Sequence, residues 1–300
     1  MKASEWMRRN VARAASWWAR NPGKHRTVFL VVAISFGAVL ATGIISYSVQ
    51  DATAIKHRLG FKTGYNTSPM QYLTFSIQPQ QYQYWVSLNH SIVFVGDFLR
   101  FFDARGLYPI ASQIQDACGP FASQEEVLQA ILSFVQDKTI INETNTMQYI
   151  SDPPGPEYPK YPIETLGDTG GDCEDSAILF ACLVETLGYN AIIVFTSDHA
   201  FAAVEMATSP KHAKNDVTPV VYDGKTYYPC ECTGWGWHVG ELAVDKEDLE
   251  FALPIDINVP ALSYNLAWLV PTSIFGIIIL YNRVQVTRER KQKLSEIYGN

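Results

Sequence analysis

The chain has 300 residues, of which 47% are hydrophobic and 18% charged, so neither disordered nor fibrous classes fit it. Its formal charge of −7 averages two basic ends and an acidic middle. Residues 1–26 carry seven Lys/Arg and the tail after Tyr281 carries five, whereas residues 50–260 carry eleven against 27 Asp/Glu. A middle that acidic excludes a nucleic-acid binder, because phosphate attraction needs a basic face.

In chain order, a basic leader (1–26) precedes an uncharged stretch at 27–49, and a second uncharged stretch ends the long middle at 259–281. About 20 apolar residues cross a bilayer, so both read as transmembrane helices. The first is too long for a signal peptide core. Short basic flanks stay inside while an acidic segment is translocated. The expectation is therefore a two-pass plasma-membrane protein in the lipid bilayer. Both termini (1–26 and 282–300) are cytoplasmic, and residues 50–260 lie outside. Sequons at Asn66, Asn89 and Asn142 do not contradict that placement.

Residues 50–118 form an aromatic-rich lobe, with strand-like alternation from Tyr72 to Ile77 that Pro79 ends, and a helix near Ile92–Phe102. Residues 119–258 form the second domain. Ser123 and Glu126 make a capping box ahead of Val127, Leu128, Ile131, Leu132 and Val135 at helical spacing. A loop at 151–171 holds five prolines and is expected to be an ordered wall. Gly170-Gly171-Asp172 then opens a helix through Cys182 and Leu187, stopped by Gly188. Strands follow at Ala191–Phe195, Ala200–Met206, Val217–Tyr222 and Lys225–Cys232. Asp223-Gly224 makes a tight hairpin between the last two. A helix followed by antiparallel strands is an α+β layout.

Three elements carry chemistry together. Cys173 stands at a helix start, where unpaired N–H groups and the helix dipole favour a thiolate. His199 enters a strand and can take the thiol proton. Glu231 ends the last strand and can fix the imidazole tautomer. Asp172 reads as the helix cap at the nucleophile, and Glu174 and Asp175 as first-turn stabilisers whose charge opposes a thiolate. Gly170 and Gly171 are expected to let the chain turn sharply there. Trp235 and Trp237 follow the acid as cleft-lining candidates, with packing against the proline-rich loop as the plainer alternative. Of the remaining cysteines, Cys118, Cys182, Cys230 and Cys232 allow a disulfide, with Cys182 read as core. A Cys230/Cys232/His238 set matches no common zinc spacing, so no metal or other cofactor is expected.

The runs Tyr161-Pro162-Ile163-Glu164-Thr165-Leu166, Gly171-Asp172-Cys173-Glu174-Asp175, Asp198-His199-Ala200-Phe201 and Tyr227-Tyr228-Pro229-Cys230-Glu231-Cys232-Thr233 resemble, in order, the transglutaminase-like superfamily. The resemblance covers about residues 120–240. It implies a papain-like core, a Cys-bearing helix against an antiparallel sheet. It also implies Cys173 as nucleophile, His199 as base and Glu231 as orienting acid, with Glu replacing the family's usual Asp. The expected activity is hydrolysis of peptide or isopeptide amide bonds in a peptide, protein or cell-envelope substrate. The alternatives are a cross-linking transglutaminase and a catalytically silent scaffold with a protein partner.

Overall fold

The structure is a computed structural model that describes residues 36–37, 53–65, 68–214, 217–243 and 253–256. Those residues divide into two compact units. Residues 53–58 and 74–88 belong to one, and the rest of the chain from Leu59 onward belongs to the other.

The first unit takes parts of β1 (Ile55–Lys62) and β2 (Met70–Ile77), which pair as a two-stranded sheet. Pro79 does more than end β2. It occupies the first turn of helix α1 (Pro79–Val86), where its missing N–H has no partner to lose. Phe75, Ile77 and Trp85 of this unit are buried.

The second unit is α+β, as expected. A 3₁₀ turn at Val95–Phe101 stands where a helix near Ile92–Phe102 is expected. Helices α2 (Tyr108–Cys118) and α3 (Gln124–Val135) follow, the second opened by the reciprocal Ser123–Glu126 capping box. Short strand β3 (Gln148–Tyr149) leads through the proline-rich loop to α4 (Pro162–Asp168), β4 (Gly170–Gly171) and α5 (Cys173–Thr186). Helix α5 is buried along nearly its whole length, against α2, α3 and α4 on its flanks and the sheet on its face. A helix apolar on every side is a core helix, which is why its sequence shows little amphipathic pattern. Gly188, at φ 84°, follows its end as the left-handed stop residue.

The sheet has order β7-β8-β6-β5-β9, built from Val220–Tyr222, Lys225–Cys230, Ala200–Glu205, Ala191–Phe195 and Leu253–Asp256. All its pairings are antiparallel. Asp223 (φ 47°) and Gly224 (φ 72°) make the β7–β8 turn, both in the left-handed region that a two-residue hairpin of this twist requires. Strand β8 ends at Cys230, paired with Ala202, so Glu231 lies just beyond the strand, released from the ladder.

The expected pair of transmembrane helices is corrected. Among the described residues no helix is long and apolar enough to cross a membrane. The longest of them, α5, has 14 residues, or about 21 Å at ~1.5 Å per residue, against about 30 Å of hydrocarbon. The stretches at 27–49 (apart from Phe36 and Gly37) and 259–281, and both basic ends, lie outside the described residues. Freedom from charge is a requirement for spanning, but it does not by itself specify a helix of spanning length. The two-pass plasma-membrane placement, with cytoplasmic termini and residues 50–260 outside, is not carried further.

Candidate active site

Four segments of the second unit converge on one site. Cys173 begins α5, with Asp172 at the N-cap position in extended backbone (φ −93°, ψ −151°). The Asp172 carboxylate makes no capping hydrogen bond, unlike the cap role expected for it.

The two glycines before it serve a different purpose from the sharp turn expected. Gly170 and Gly171 run alongside Gln148 and Tyr149 as a parallel bridge. A Cβ on Gly170 would lie 2.4 Å from the Gln148 carbonyl oxygen, and one on Gly171 would lie 2.4 Å from Asp175. They are needed for close approach. Gly171→Ala is expected to cost about 1–3 kcal/mol through overpacking, read as a lowered urea midpoint. An unchanged midpoint would show that the first turn of α5 gives way freely.

His199 sits in the turn between β5 and β6, where Thr196 secures it. The His199 N–H donates to Thr196 Oγ1 at 3.0 Å, and its carbonyl accepts the Thr196 N–H at 2.8 Å. Its ring Nε2 lies 2.9 Å from Glu231 Oε2. Glu231 is 0% exposed, and its other oxygen accepts the Thr233 N–H at 3.0 Å and the Thr233 hydroxyl at 2.6 Å. From α3, Gln136 Nε2 donates to the Glu231 carbonyl at 2.9 Å and to the Trp237 carbonyl at 3.1 Å, tying the segment after β8 to the helix. The Glu231 hydrogen bond holds the His199 imidazolium above its ordinary range against burial. Burial works to raise Glu231, but hydrogen bonds and charge from His199 and Thr233 outweigh it and hold the carboxylate low.

The Ala200 N–H, one residue beyond His199, is directed at Cys173 Sγ, which brings the thiol to the start of β6. Cys173 is half-buried and donates to Glu174 Oε2 at 3.2 Å. Burial is the main force pushing this thiol up, reinforced by the charge and hydrogen bond of Glu174 and opposed by the Ala200 N–H. The resting cysteine is therefore a thiol. Burial, then repulsion from Asp172 and a hydrogen bond shared with its side chain, then repulsion from Asp175, push Glu174 up to about 9.

His199, Tyr149, Trp235 and Trp237 line a cleft of about 560 Å³, with Asp137 and Ile140 on its other walls. Cys173 is not on its wall, although Tyr149, which lines the cleft and whose phenol burial raises, lies within electrostatic reach of it. Trp235 also carries Lys62 and Lys138 over its ring, 5.1 and 5.3 Å from the centroid.

The proline-rich loop is held in place. His90 stacks on Tyr158 at 4.1 Å and its Nδ1 lies 2.7 Å from the Pro159 carbonyl. The Lys160 N–H donates to Asp175 at 2.6 Å. All five cysteines are free thiols, and Cys182, Cys230 and Cys232 are buried. Sequence reasoning does not find Thr233, Gln136 or Lys138, since short polar and amide side chains at such spacing carry no signal until the chain is folded.

No protein-family model, curated protein or solved structure matches the chain.

Proposed function

We propose that the chain is a cysteine hydrolase of amide bonds, with Cys173 as nucleophile, His199 as base and Glu231 as the residue that orients the imidazole. The observation that carries this reading is the half-buried His199 held at 2.9 Å by the buried Glu231, one residue from the N–H that bonds to Cys173. A carboxylate on Nε2 fixes the tautomer with its proton there and leaves Nδ1 as the nitrogen for the thiol proton. The resemblance to transglutaminase-like proteins assigns the same three roles in the same chain order.

In this mechanism Cys173 Sγ forms a bond to the amide carbonyl carbon as its proton passes to His199. The C–N bond then breaks, and His199 gives the proton to the departing amine. A water molecule, deprotonated by His199, attacks the thioester. The S–C bond breaks, a carboxylic acid leaves, and the thiol is restored. The unpaired N–H at the start of α5 stabilises the oxyanion. Trp235, Trp237 and Tyr149 suit the cleft to a peptide or isopeptide chain with apolar side chains.

One observation favours a silent binding module instead. The thiol is bonded to a carboxylate that opposes its ionisation, and it stands beside the cleft wall and not on it. The two readings differ in a single experiment. The full chain is treated with iodoacetamide at neutral pH and the labelled cysteines are mapped, in wild type and His199→Ala. The hydrolase reading expects Cys173 to react at least tenfold faster than in the variant, and a peptide aldehyde to protect it. A Cys173 indifferent to His199 would leave the silent module.

A further inference from the structure

The thiol chemistry leaves one charged group of the cleft unused. Asp137 is the only carboxylate among the residues that line it, where it lies half-buried in company with Tyr149, Ile140 and Trp237. Its backbone is fastened to the chain just beyond Glu231. The Asp137 N–H donates to the Thr233 carbonyl at 3.2 Å, and Asp137 forms a parallel bridge with Gly234. Its carboxylate is fixed as well. Oδ1 accepts the Thr139 N–H at 2.7 Å, and Oδ2 accepts the Tyr149 N–H at 3.0 Å.

A turn explains part of this, because an aspartate commonly accepts the N–H two residues on. It does not explain the second oxygen, whose donor arrives from β3, twelve residues further along the chain. Burial works to raise the Asp137 carboxyl, but the two N–H groups, the Thr139 hydroxyl and the charge of Lys138 outweigh it and hold it below its ordinary range. The group is therefore an anion at neutral pH. A carboxylate offers about four acceptor sites, and three donors leave one open. No ion pair joins Asp137 among the described residues. Lys138, the next residue, turns its ammonium to the Ser133 and Gln136 carbonyls instead.

The surroundings of this anion are apolar and open. Ile140 is 80% exposed and Tyr149 is 45% exposed, and both line the cleft. Apolar surface beside one fixed negative charge suits an amphipathic cation, a ligand with a methylene stem and a charged end. We propose that Asp137 makes the cleft selective for a peptide carrying a lysine or arginine side chain, with the stem on Ile140 and Tyr149 and the cationic end bonded to the carboxylate. This selectivity rests on the reading of the cleft as the substrate groove. The basic side chain is recognised and leaves unchanged, since the thiol is not on the cleft wall.

The full chain carrying Cys173→Ala, which cannot turn over, is titrated by fluorescence anisotropy with labelled octapeptides. Their backbones are alanine and glycine, with one residue set to lysine, arginine, norleucine or glutamate at each position in turn. At the best position lysine and arginine should bind roughly tenfold more tightly than norleucine, which keeps the stem without the charge. Glutamate should bind more weakly than norleucine, and 1 M NaCl should shrink the lysine advantage. Asp137→Asn should abolish that advantage and leave norleucine binding in place, with its urea midpoint showing that it folds. Free n-butylamine should compete far more weakly than the lysine peptide. Lysine and norleucine bound alike, or no peptide bound, overturns the subsite with Asp137 intact, whether or not the Asn variant folds. A lysine preference that survives in folded Asp137→Asn overturns the assignment to this residue, and n-butylamine competing as well as the peptide overturns the peptide as ligand. Failure of the hydrolase reading shows separately, as Cys173 alkylation indifferent to His199.

Discussion

Glu231→Ala is expected to lower stability by about 3–5 kcal/mol, the range for breaking a buried ion pair on one side. It should also reduce Cys173 alkylation to the level of His199→Ala. Removal of this fully buried carboxylate leaves His199 Nε2 and both Thr233 donors without their acceptor. Glu231→Gln separates the two consequences. Its amide oxygen can still accept from Thr233, so most of the stability should survive. Its NH₂ group would face His199 Nε2, however, and demand that this nitrogen accept. That forces the proton onto Nδ1, where it blocks uptake of the thiol proton. Near-native urea midpoints with alkylation lost is the expected pattern, and alkylation retained in Glu231→Gln would remove the carboxylate from the mechanism.

The pH dependence follows from the shifts. The folded His199 pKa is raised, so its contribution is complete below the ordinary imidazole value and fades as pH rises through the folded one. The folded Glu231 pKa is lowered, so its contribution is complete above the ordinary carboxylate value and fades as pH falls through the folded one. The stability difference between wild type and Glu231→Ala should therefore be greatest between roughly pH 4.5 and 6.5.

Lys138 gives the second large effect, of opposite sign with pH. It is 0% exposed, and burial lowers its pKa to about 7. Its ammonium donates to the carbonyls of Ser133 and Gln136, at and just beyond the C-terminal end of α3. Below about pH 7 both folded and unfolded chains hold the proton, and the cost of burying the charge is met in full. Between about 7 and 10.5 the unfolded chain binds a proton that the folded chain has released, so stability rises with pH. At ~1.36 kcal/mol per unit the rise is about 3–5 kcal/mol across that window. Urea midpoints measured from pH 6 to 10 for wild type and Lys138→Met should diverge by that amount, with the slope absent from the variant. Parallel curves would mean that the two carbonyls and the face of Trp235 keep the lysine charged throughout.

The sequence announces those parts of the fold whose signal is local. The Ser123–Glu126 box, the Asp223-Gly224 turn and the Gly188 stop are each decided by a few adjacent residues, and all three occur where expected. Cys173, His199 and Glu231 are proposed as a set because a thiol, an imidazole and a carboxylate follow one another in the order the resemblance implies, and the structure joins His199 to Glu231. What the sequence hides depends on residues far apart in the chain. Thr233 matters because β8 ends one residue before Glu231. Asp152 and Glu157 meet Asp172 and Glu174 because the proline-rich loop folds back on the start of α5, about 16 to 21 residues later in the chain. Gly170 and Gly171 read as a sharp turn because close approach between segments leaves no mark on composition. The membrane expectation rested on two stretches outside the described residues, and among the described residues no helix is long and apolar enough to cross a membrane.

The order in which the sheet is wound has a kinetic consequence. Strands β5 and β6 are joined by the short turn that holds His199, whereas β8 reaches β6 only after a longer excursion through β7 and its hairpin. Local pairings form first because less chain entropy is lost in closing them. During refolding the imidazole is therefore seated before its carboxylate arrives, and a one-residue slip of β8 against β6 would carry Glu231 to the opposite face of the sheet. Reactivity at Cys173 should lag behind the pairing of β5 with β6, which makes the thiol a clock for the docking of β8 in register.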